Sequence, residues 1–550
     1  MVSLMLKQPS EALVAPSSIA RTPSGIRLPL PRWLLAPSPA VVALLLVGSP
    51  VAARALGGDW LVGVGVWCLA WLLWFVNECR TARATCECPG SGGSDAQSSH
   101  PGRYAATAAL FAGSFFAMAW IAQPIIHLNG GLAWDGRNYF GMYGAFKGYA
   151  HGDVPAPYGQ RIGLPLLATF LHEHADRNFL AWTMAFWIAG IGAWAYSLRA
   201  HFHLSGVWVA AAVAWVCLAF SSPTRSAPFT PFSVEAPAIA FVAVFTLLAH
   251  ARRLTAGGRF AFCVCAGLAA ALFKESAVMW AAFGWVGCVV SAWLAFDQVF
   301  RVPAGLASPA RIGWLARGAS ALVAPRALPW LGLTLGAAAG LALAQIPFGV
   351  RAGALNVTIL AFWAERRLSH PMDALRIVGA WGLGLAPFVV LALSVAWRRA
   401  ANALRENRGA ETLRPSPAVD AAPRSLVDRR GLWIALALWA VVSACSGSDL
   451  TRFAFSAFPL AVPLIVRAVG DQRALAALAS LLLALPLARP WQTIPSPDIV
   501  FDAIPSGQNW HGLYAWTAEY ANPGLVALWC AYLLAAGGVL AWLRRRHDRS

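Results

Sequence analysis

Ionisable side chains are scarce in this chain, so those able to do chemistry stand out. One stretch, residues 128–177, reads LNGGLAWDGRNYFGMYGAFKGYAHGDVPAPYGQRIGLPLLATFLHEHADR. Within it Asp135, Tyr139 and Tyr143 recur at helical spacing, with Phe146 close to the same face. That spacing predicts a short helix with one carboxylate and several rings along one side. A fixed carboxylate is what a general base for an acceptor hydroxyl requires. The rings alone fit an aromatic belt at lipid-headgroup depth. The stretch continues as Pro157-Tyr158-Gly159-Gln160-Arg161-Ile162-Gly163-Leu164-Pro165, where proline on either side restricts where Arg161 points. Arg161 either snorkels toward water or presents a guanidinium fork to a phosphate.

Other charges come in pairs far apart in sequence. Arg225 and Glu235 lie in SSPTRSAPFTPFSVEAP, Lys274 and Glu275 stand together between two apolar runs, and Asp449 and Arg452 lie in GSDLTRF. The pattern fits either a shared polar cavity or charge collected at hairpin tips. Metal signatures are weak: Cys86-Glu87-Cys88 with His100 matches no zinc spacing. In His172-Glu173-His174-Ala175-Asp176 adjacent residues point in different directions on a helix.

The elements that must position these residues are membrane helices. The chain has 550 residues, 58% of them hydrophobic and only 12% charged, with mean hydropathy +0.58. A soluble protein carries about twice that charged fraction. Apolar runs recur about fourteen times between residues 39 and 543, which predicts an all-α polytopic protein of about 13–14 transmembrane helices. Lys274-Glu275 divides one long apolar run into two helices, because charges in mid-bilayer cost about 2.5–3.5 kcal/mol each. The run 162–173 is too short to cross and is expected to form a short interfacial helix. The Gly-rich stretch 332–349 is a place where a helix could be broken. Scattered cysteines within apolar runs read as packing residues.

Lys and Arg are retained on the cytoplasmic side during insertion. Placing both termini in the cytoplasm puts the whole +18 surplus on that face, where it meets anionic lipid rather than nucleic acid. The expected organisation is a leader 1–38; three helices in 39–127 with a flexible linker 80–103; a large periplasmic loop 128–177; a membrane core 178–397; and a basic cytoplasmic loop 398–430. C-terminal helices in 431–543, with a periplasmic loop 490–523, and a basic tail 544–550 complete it. The first apolar run is expected to be a retained helix rather than a cleaved signal.

Taken together, the Asp-Gly-x-x-Tyr order at Asp135, Pro157-Tyr158-x-x-Arg161-x-x-Leu164-Pro165, Lys274-Glu275, and Asp449-x-x-Arg452 ahead of a Pro-containing helix resemble bacterial polytopic proteins of the GT-C glycosyltransferase type. These resemble the mannosyl- and arabinosyltransferases that take sugar from a polyprenyl-phosphate carrier. The resemblance implies a GT-C-like fold in the inner membrane, a polyprenyl-phosphate-linked sugar as partner, and an acid of the first outer loop, here Asp135, as catalytic base. It also implies cations at the carrier phosphate, for which Arg161, Lys274 and Arg452 are the matching positions. Some members of that group use a divalent cation, for which Glu235, Glu275 or the run at 172–176 offers ligands; no other cofactor is expected.

On that reading Asp135 deprotonates the acceptor, the three cations stabilise the departing phosphate, Tyr139, Tyr143 and Tyr158 contact the sugar, and Glu235, Glu275 and Asp449 line the substrate site. With no second carboxylate to place as nucleophile, displacement inverts the anomeric centre. Two rival readings share these residues: a flippase for a lipid-linked saccharide, and an inactive relative of the transferase fold. Motifs of soluble enzymes, such as GxGxxG after a strand or a Gly-Lys-Ser/Thr phosphate loop, are missing.

Overall fold

A computed structural model describes residues 39–55, 57–87, 100–126, 132, 135–149, 154, 158–251, 254–299, 320–348, 361–362, 364–365, 369, 371–406, 429–445, 450–470, 473–494 and 523–549. Every element among them is helical. The chain runs through α1 (Pro39–Ala55), α2 (Trp60–Glu87), α3 (Pro101–Ala122), α4 (Gly136–Phe146), a 3₁₀ turn (Tyr158–Gln160), α5 (Gly163–Ala168), α6 (Ala175–Ala200), α7 (Gly206–Leu218), α8 (Pro223–Phe229) and α9 (Glu235–Ala249). It continues with α10 (Ala256–Phe273), α11 (Ser276–Val299), α12 (Leu328–Ala344), α13 (Pro371–Gly384), α14 (Ala386–Glu406), α15 (Arg429–Ala444), α16 (Leu450–Phe455), α17 (Phe458–Val469), α18 (Ala474–Ala488) and α19 (Pro523–Arg549).

Each expected apolar run is helical, but fewer can cross a bilayer than hydropathy alone suggests. Among the described residues seven helices are long and apolar enough, or eight if the bent pair α13–α14 is one span. Others, such as α9, α12, α17 and α18, have only 12–17 residues, short of the roughly 20 that a hydrocarbon core demands. Against the expected 13–14 spans, the described residues thus give seven or eight by length and composition, because a hydropathy window counts apolar residues and passes over the residues that end a helix. Gly470, left-handed at φ 70°, stops α17, and Arg489, left-handed at φ 45°, stops α18.

The centre of the bundle is α7, whose residues from Val207 to Leu218 are all buried. It is hydrophobic all round, so it has no face to offer water. Around it, tryptophan indoles tie helices together by donating to neighbouring carbonyls. Trp71 reaches Ala210 at 2.9 Å, Trp194 reaches Pro459 at 3.2 Å and Trp439 reaches Phe453 at 3.1 Å. In a core without water, such bonds satisfy an N–H that would otherwise cost about 1–3 kcal/mol. Within the expected membrane core 178–397, the chain bends by 105° between α13 and α14. Pro387 explains the bend: it lacks an N–H and disfavours helix in the residue before it. The carbonyl of Gly384, at the break, accepts the Trp215 indole at 2.9 Å.

Within the Gly-rich stretch 332–349, where a helix could be broken, α12 is continuous as far as Ala344. Gly332, Gly336 and Gly340 form a seam pressed on the α10 backbone at Phe260, Val264 and Leu268. A Cβ on Gly336 would stand 1.9 Å from the Val264 carbonyl oxygen. Small residues every fourth position let two helices approach this closely where lipid offers no hydrophobic drive. Because α10 ends at Lys274, the seam also fixes where that cation stands. Gly336→Leu is expected to destabilise the protein by about 3 kcal/mol, at the upper end of overpacking costs. Gly257→Ala on the same α10, where a Cβ meets nothing within 4 Å, is expected to leave the melting temperature unchanged.

Candidate functional site

Connections from five parts of the chain meet at one end of the bundle. Two glycines allow it. A Cβ on Gly136 would come within 2.9 Å of Phe232, so the start of α4 lies directly against the segment leading into α9. A Cβ on Gly163 would come within 3.1 Å of the Leu272 carbonyl oxygen, so the start of α5 lies against the end of α10. The first approach brings Asp135 toward Glu235, and the second brings Arg161 to Glu275.

The residues form a base pole, a bracket and a cation pole. At the base pole the Tyr158 hydroxyl donates to Asp135 Oδ1 at 3.0 Å. Asp135 makes no other side-chain hydrogen bond among the described residues, although it sits at the N-cap of α4, so Oδ2 is left for a ligand. In the bracket Arg161 grips Glu275 with two parallel bonds, Nε to Oε2 at 2.8 Å and Nη2 to Oε1 at 2.6 Å. Its Nη1 donates to the Tyr139 hydroxyl at 2.7 Å, and its guanidinium lies 5.4 Å from the centre of the Tyr158 ring. At the cation pole Lys274 Nζ donates to Glu235 Oε1 at 3.0 Å, and Arg452 Nη1 lies 3.7 Å from Glu235 Oε2. Lys274 also stands 5.4 Å from the centre of the Phe453 ring. The Ser233 hydroxyl donates to Glu235 Oε2.

Of the residues singled out in the sequence, the structure therefore brings together Asp135, Tyr139, Tyr158, Arg161, Glu235, Lys274, Glu275 and Arg452. Tyr139 is buried to 1% exposure, so it offers its hydroxyl to the site and not its ring face. Tyr143, expected on the same side, packs instead among Phe140 and Phe179 under Lys147. Asp449 lies outside the described residues. Arg225, expected in the shared cavity, is elsewhere. Its guanidinium donates to the carbonyls of Leu218 (3.0 Å), Ala488 (2.7 Å) and Gln492 (2.7 Å) and lies over Trp60. The last carbonyls of α7 and α18 are electron-rich helix ends that attract a cation, which accounts for this placement.

Ser233 and Phe453 were not anticipated. Ser233 carried a local signal, standing two residues before an acid at a helix start; Phe453 carried none beyond following Arg452. Gln160, buried beside Arg161, has an amide with no hydrogen-bond partner among the described residues. No group of three metal-ligating side chains comes together among the described residues. In the run at 172–176, Glu173 contacts Arg177 at 3.5 Å on the surface, and His174 stands at the N-cap position of α6 without a side-chain capping bond.

Burial pushes the Tyr158 phenol up to about 12, with the neighbouring Asp135 charge adding to it. Burial likewise holds the Tyr139 phenol well above its usual value, against the opposing pull of Arg161. Both rings therefore keep their protons at neutral pH; Tyr158 donates to Asp135, whereas the Tyr139 oxygen accepts from Arg161. Burial opposes ionisation of Glu275, yet the Arg161 guanidinium outweighs it and keeps the carboxyl below its ordinary range. A depressed carboxyl stabilises the fold above its unfolded-state value and loses that contribution as pH falls through the folded one. Melting temperature should accordingly drop as pH is lowered below about 4.5, and Glu275→Gln should flatten that acid limb. An acid limb of equal slope in the variant would show that the pair does not carry it.

Among the described residues Arg161 pairs with Glu275, Lys274 and Arg452 both pair with Glu235, and Asp135 accepts the Tyr158 hydroxyl instead of a cation. Such an arrangement can hold a hydroxyl near Asp135 and an anion near Lys274 and Arg452 without further ordering. The chain matches no family model, no curated protein and no solved structure.

Proposed function

We propose that this protein is a membrane-embedded glycosyltransferase of the GT-C type, moving a sugar from a polyprenyl-phosphate donor to an acceptor on the periplasmic side of a bacterial inner membrane. The observation that carries the reading is a carboxylate with an uncommitted oxygen, held by Tyr158, alongside a lysine–arginine pair that shares Glu235.

A lipid phosphate is a good leaving group, so the protein need only align donor and acceptor, take the acceptor's proton and steady the departing anion. Asp135 Oδ2 takes the proton as the acceptor oxygen bonds to the anomeric carbon, while the carbon–oxygen bond to the phosphate breaks. Tyr158 holds Asp135 in orientation through its other oxygen. Lys274 and Arg452 receive the phosphate charge. Arg161, gripped by Glu275, holds Tyr139 in place and is better suited to positioning than to releasing a ligand. Glu275 and Arg161 already satisfy each other, which leaves Asp135 as the base and favours direct displacement with inversion.

Cells lacking the protein should lose one sugar from a lipid-linked or cell-envelope glycan. The native gene should restore it and an Asp135→Asn copy should not, as read by mass spectrometry of extracted glycans. An unchanged glycan profile would exclude the reading. The bent pair α13–α14 gives some support to a second one, a flippase for a lipid-linked saccharide, since many transporters use broken helices around a mid-membrane site. The charges here gather at connections between helices at one end of the bundle, which favours the enzyme.

A further inference from the structure

We propose that Phe453 is a positioning residue of the donor site: its ring face holds the Lys274 ammonium beside Glu235 and leaves the ammonium's remaining hydrogen turned toward the substrate's phosphate. This part rests on the transferase reading and adds to it a side chain that acts through Lys274 without touching the substrate.

Lys274 is a cation on a flexible stem. Its backbone is extended between α10 and α11 (φ −163°, ψ 137°), so the four-carbon side chain leaves from a break in the helices and not from a helix face. Two groups from different parts of the chain hold its ammonium. Nζ donates to Glu235 Oε1 at 3.0 Å, and it stands over the Phe453 ring, 5.4 Å from the centre. An ammonium has three hydrogens. One goes to Glu235 and one meets the electron-rich face of the ring, which leaves one for an anion.

The ring, by contrast, is a fixed support. The Phe453 carbonyl accepts the Trp439 indole at 3.1 Å and the Ser456 hydroxyl at 2.6 Å. Trp439 in turn stacks on Trp280 of α11, with ring centres 4.3 Å apart and planes 24° from parallel. Because α11 begins at Ser276, directly after Lys274-Glu275, this stack ties α16 to the same connection that carries the lysine. The two are thus joined twice, once at the ammonium and once through the tryptophan pair. A lysine stem loses rotamer freedom when it is aimed, and a ring that has already placed the ammonium removes that loss from phosphate binding. The contact also strengthens when water is excluded, as it is when a lipid phosphate docks on Lys274. Both effects have one sign: a weaker ring contact gives weaker phosphate binding. Packing alone asks only for an apolar group of similar size.

Fluorine separates the two, because it drains electron density from the ring face while hardly changing the ring's size. The test places mono-, di- or trifluorinated phenylalanine at Phe453 in the full-length protein, in uncharged detergent, and measures binding of the methyl phosphodiester of farnesol by calorimetry. Affinity is expected to fall about twofold with each fluorine and about tenfold in Phe453→Leu, the range of a partly desolvated contact between cation and ring. The same series at Phe283, whose ring meets Trp439 and no cation among the described residues, is expected to be flat. If Phe453→Leu does not fold, the fluorinated rings, close to the native shape, decide alone. A flat series at Phe453, or an equal fall at Phe283, with Lys274→Met still losing the probe, overturns the part given to Phe453 and leaves the donor reading intact. Equal binding by the native protein and Lys274→Met overturns both.

Discussion

Asp135→Asn is expected to lower sugar transfer by about 10²–10⁴-fold, the range contributed by a positioned general base. The variant should still fold and insert. Among the described residues Asp135 makes a single side-chain hydrogen bond, accepted from Tyr158, and the amide oxygen of asparagine can accept the same bond. The substitution therefore removes the capacity to take a proton while keeping the shape. Donor binding should change little, because the cations proposed to hold the phosphate are Lys274 and Arg452 at the other pole. Single-turnover assays with saturating donor separate the two effects, and a loss confined to donor affinity would take Asp135 out of the base role.

The second large effect concerns the bracket. Arg161 and Glu275 are only 9% and 17% exposed and share two hydrogen bonds, so removing either partner leaves a charge in a poorly hydrated place. Arg161→Ala or Glu275→Ala should each cost about 3–5 kcal/mol of stability, as found when one half of a buried pair is removed. The double variant Arg161→Met, Glu275→Leu should recover most of that loss, since apolar groups of similar size do not leave a charge behind. It should nonetheless remain poor in transfer, because Tyr139 loses the donor that orients it at 2.7 Å. A double variant as unstable as either single change, or one with native activity, would show that the bracket does not do what its geometry indicates.

Much of this arrangement is legible in the sequence because membrane insertion makes charge scarce and its position meaningful. The helix break at Lys274-Glu275 follows from the expense of charges in hydrocarbon, and the structure breaks there, between Phe273 and Ser276. The short helix after Arg161 follows from a run too short to cross, and α5 is six residues long. Helical spacing alone could not place Tyr143, because α4 turns that ring among Phe140 and Phe179.

Arg225 shows the opposite failure. By composition it looked like the other outer charges, but helix-end carbonyls of α7 and α18 gather it, and no local pattern reveals two helices ending side by side. The bend at Leu385 has a local signal in Pro387, but the run around it is apolar enough to read as one span. The close seam between α10 and α12 was visible as three glycines four apart, yet only the fold reveals which partner they face.

The transferase and flippase readings use the same cations and part company at one bond, the one between sugar and phosphate. The most direct measurement is to reconstitute the full-length protein in liposomes with a radiolabelled prenyl-phosphate sugar and an envelope extract as acceptor, and to follow free prenyl phosphate. The expected result is release of one prenyl phosphate for each sugar transferred, lost in Asp135→Asn. Passage of intact lipid-linked sugar across the bilayer with no prenyl phosphate released, equally fast in Asp135→Asn, would contradict it.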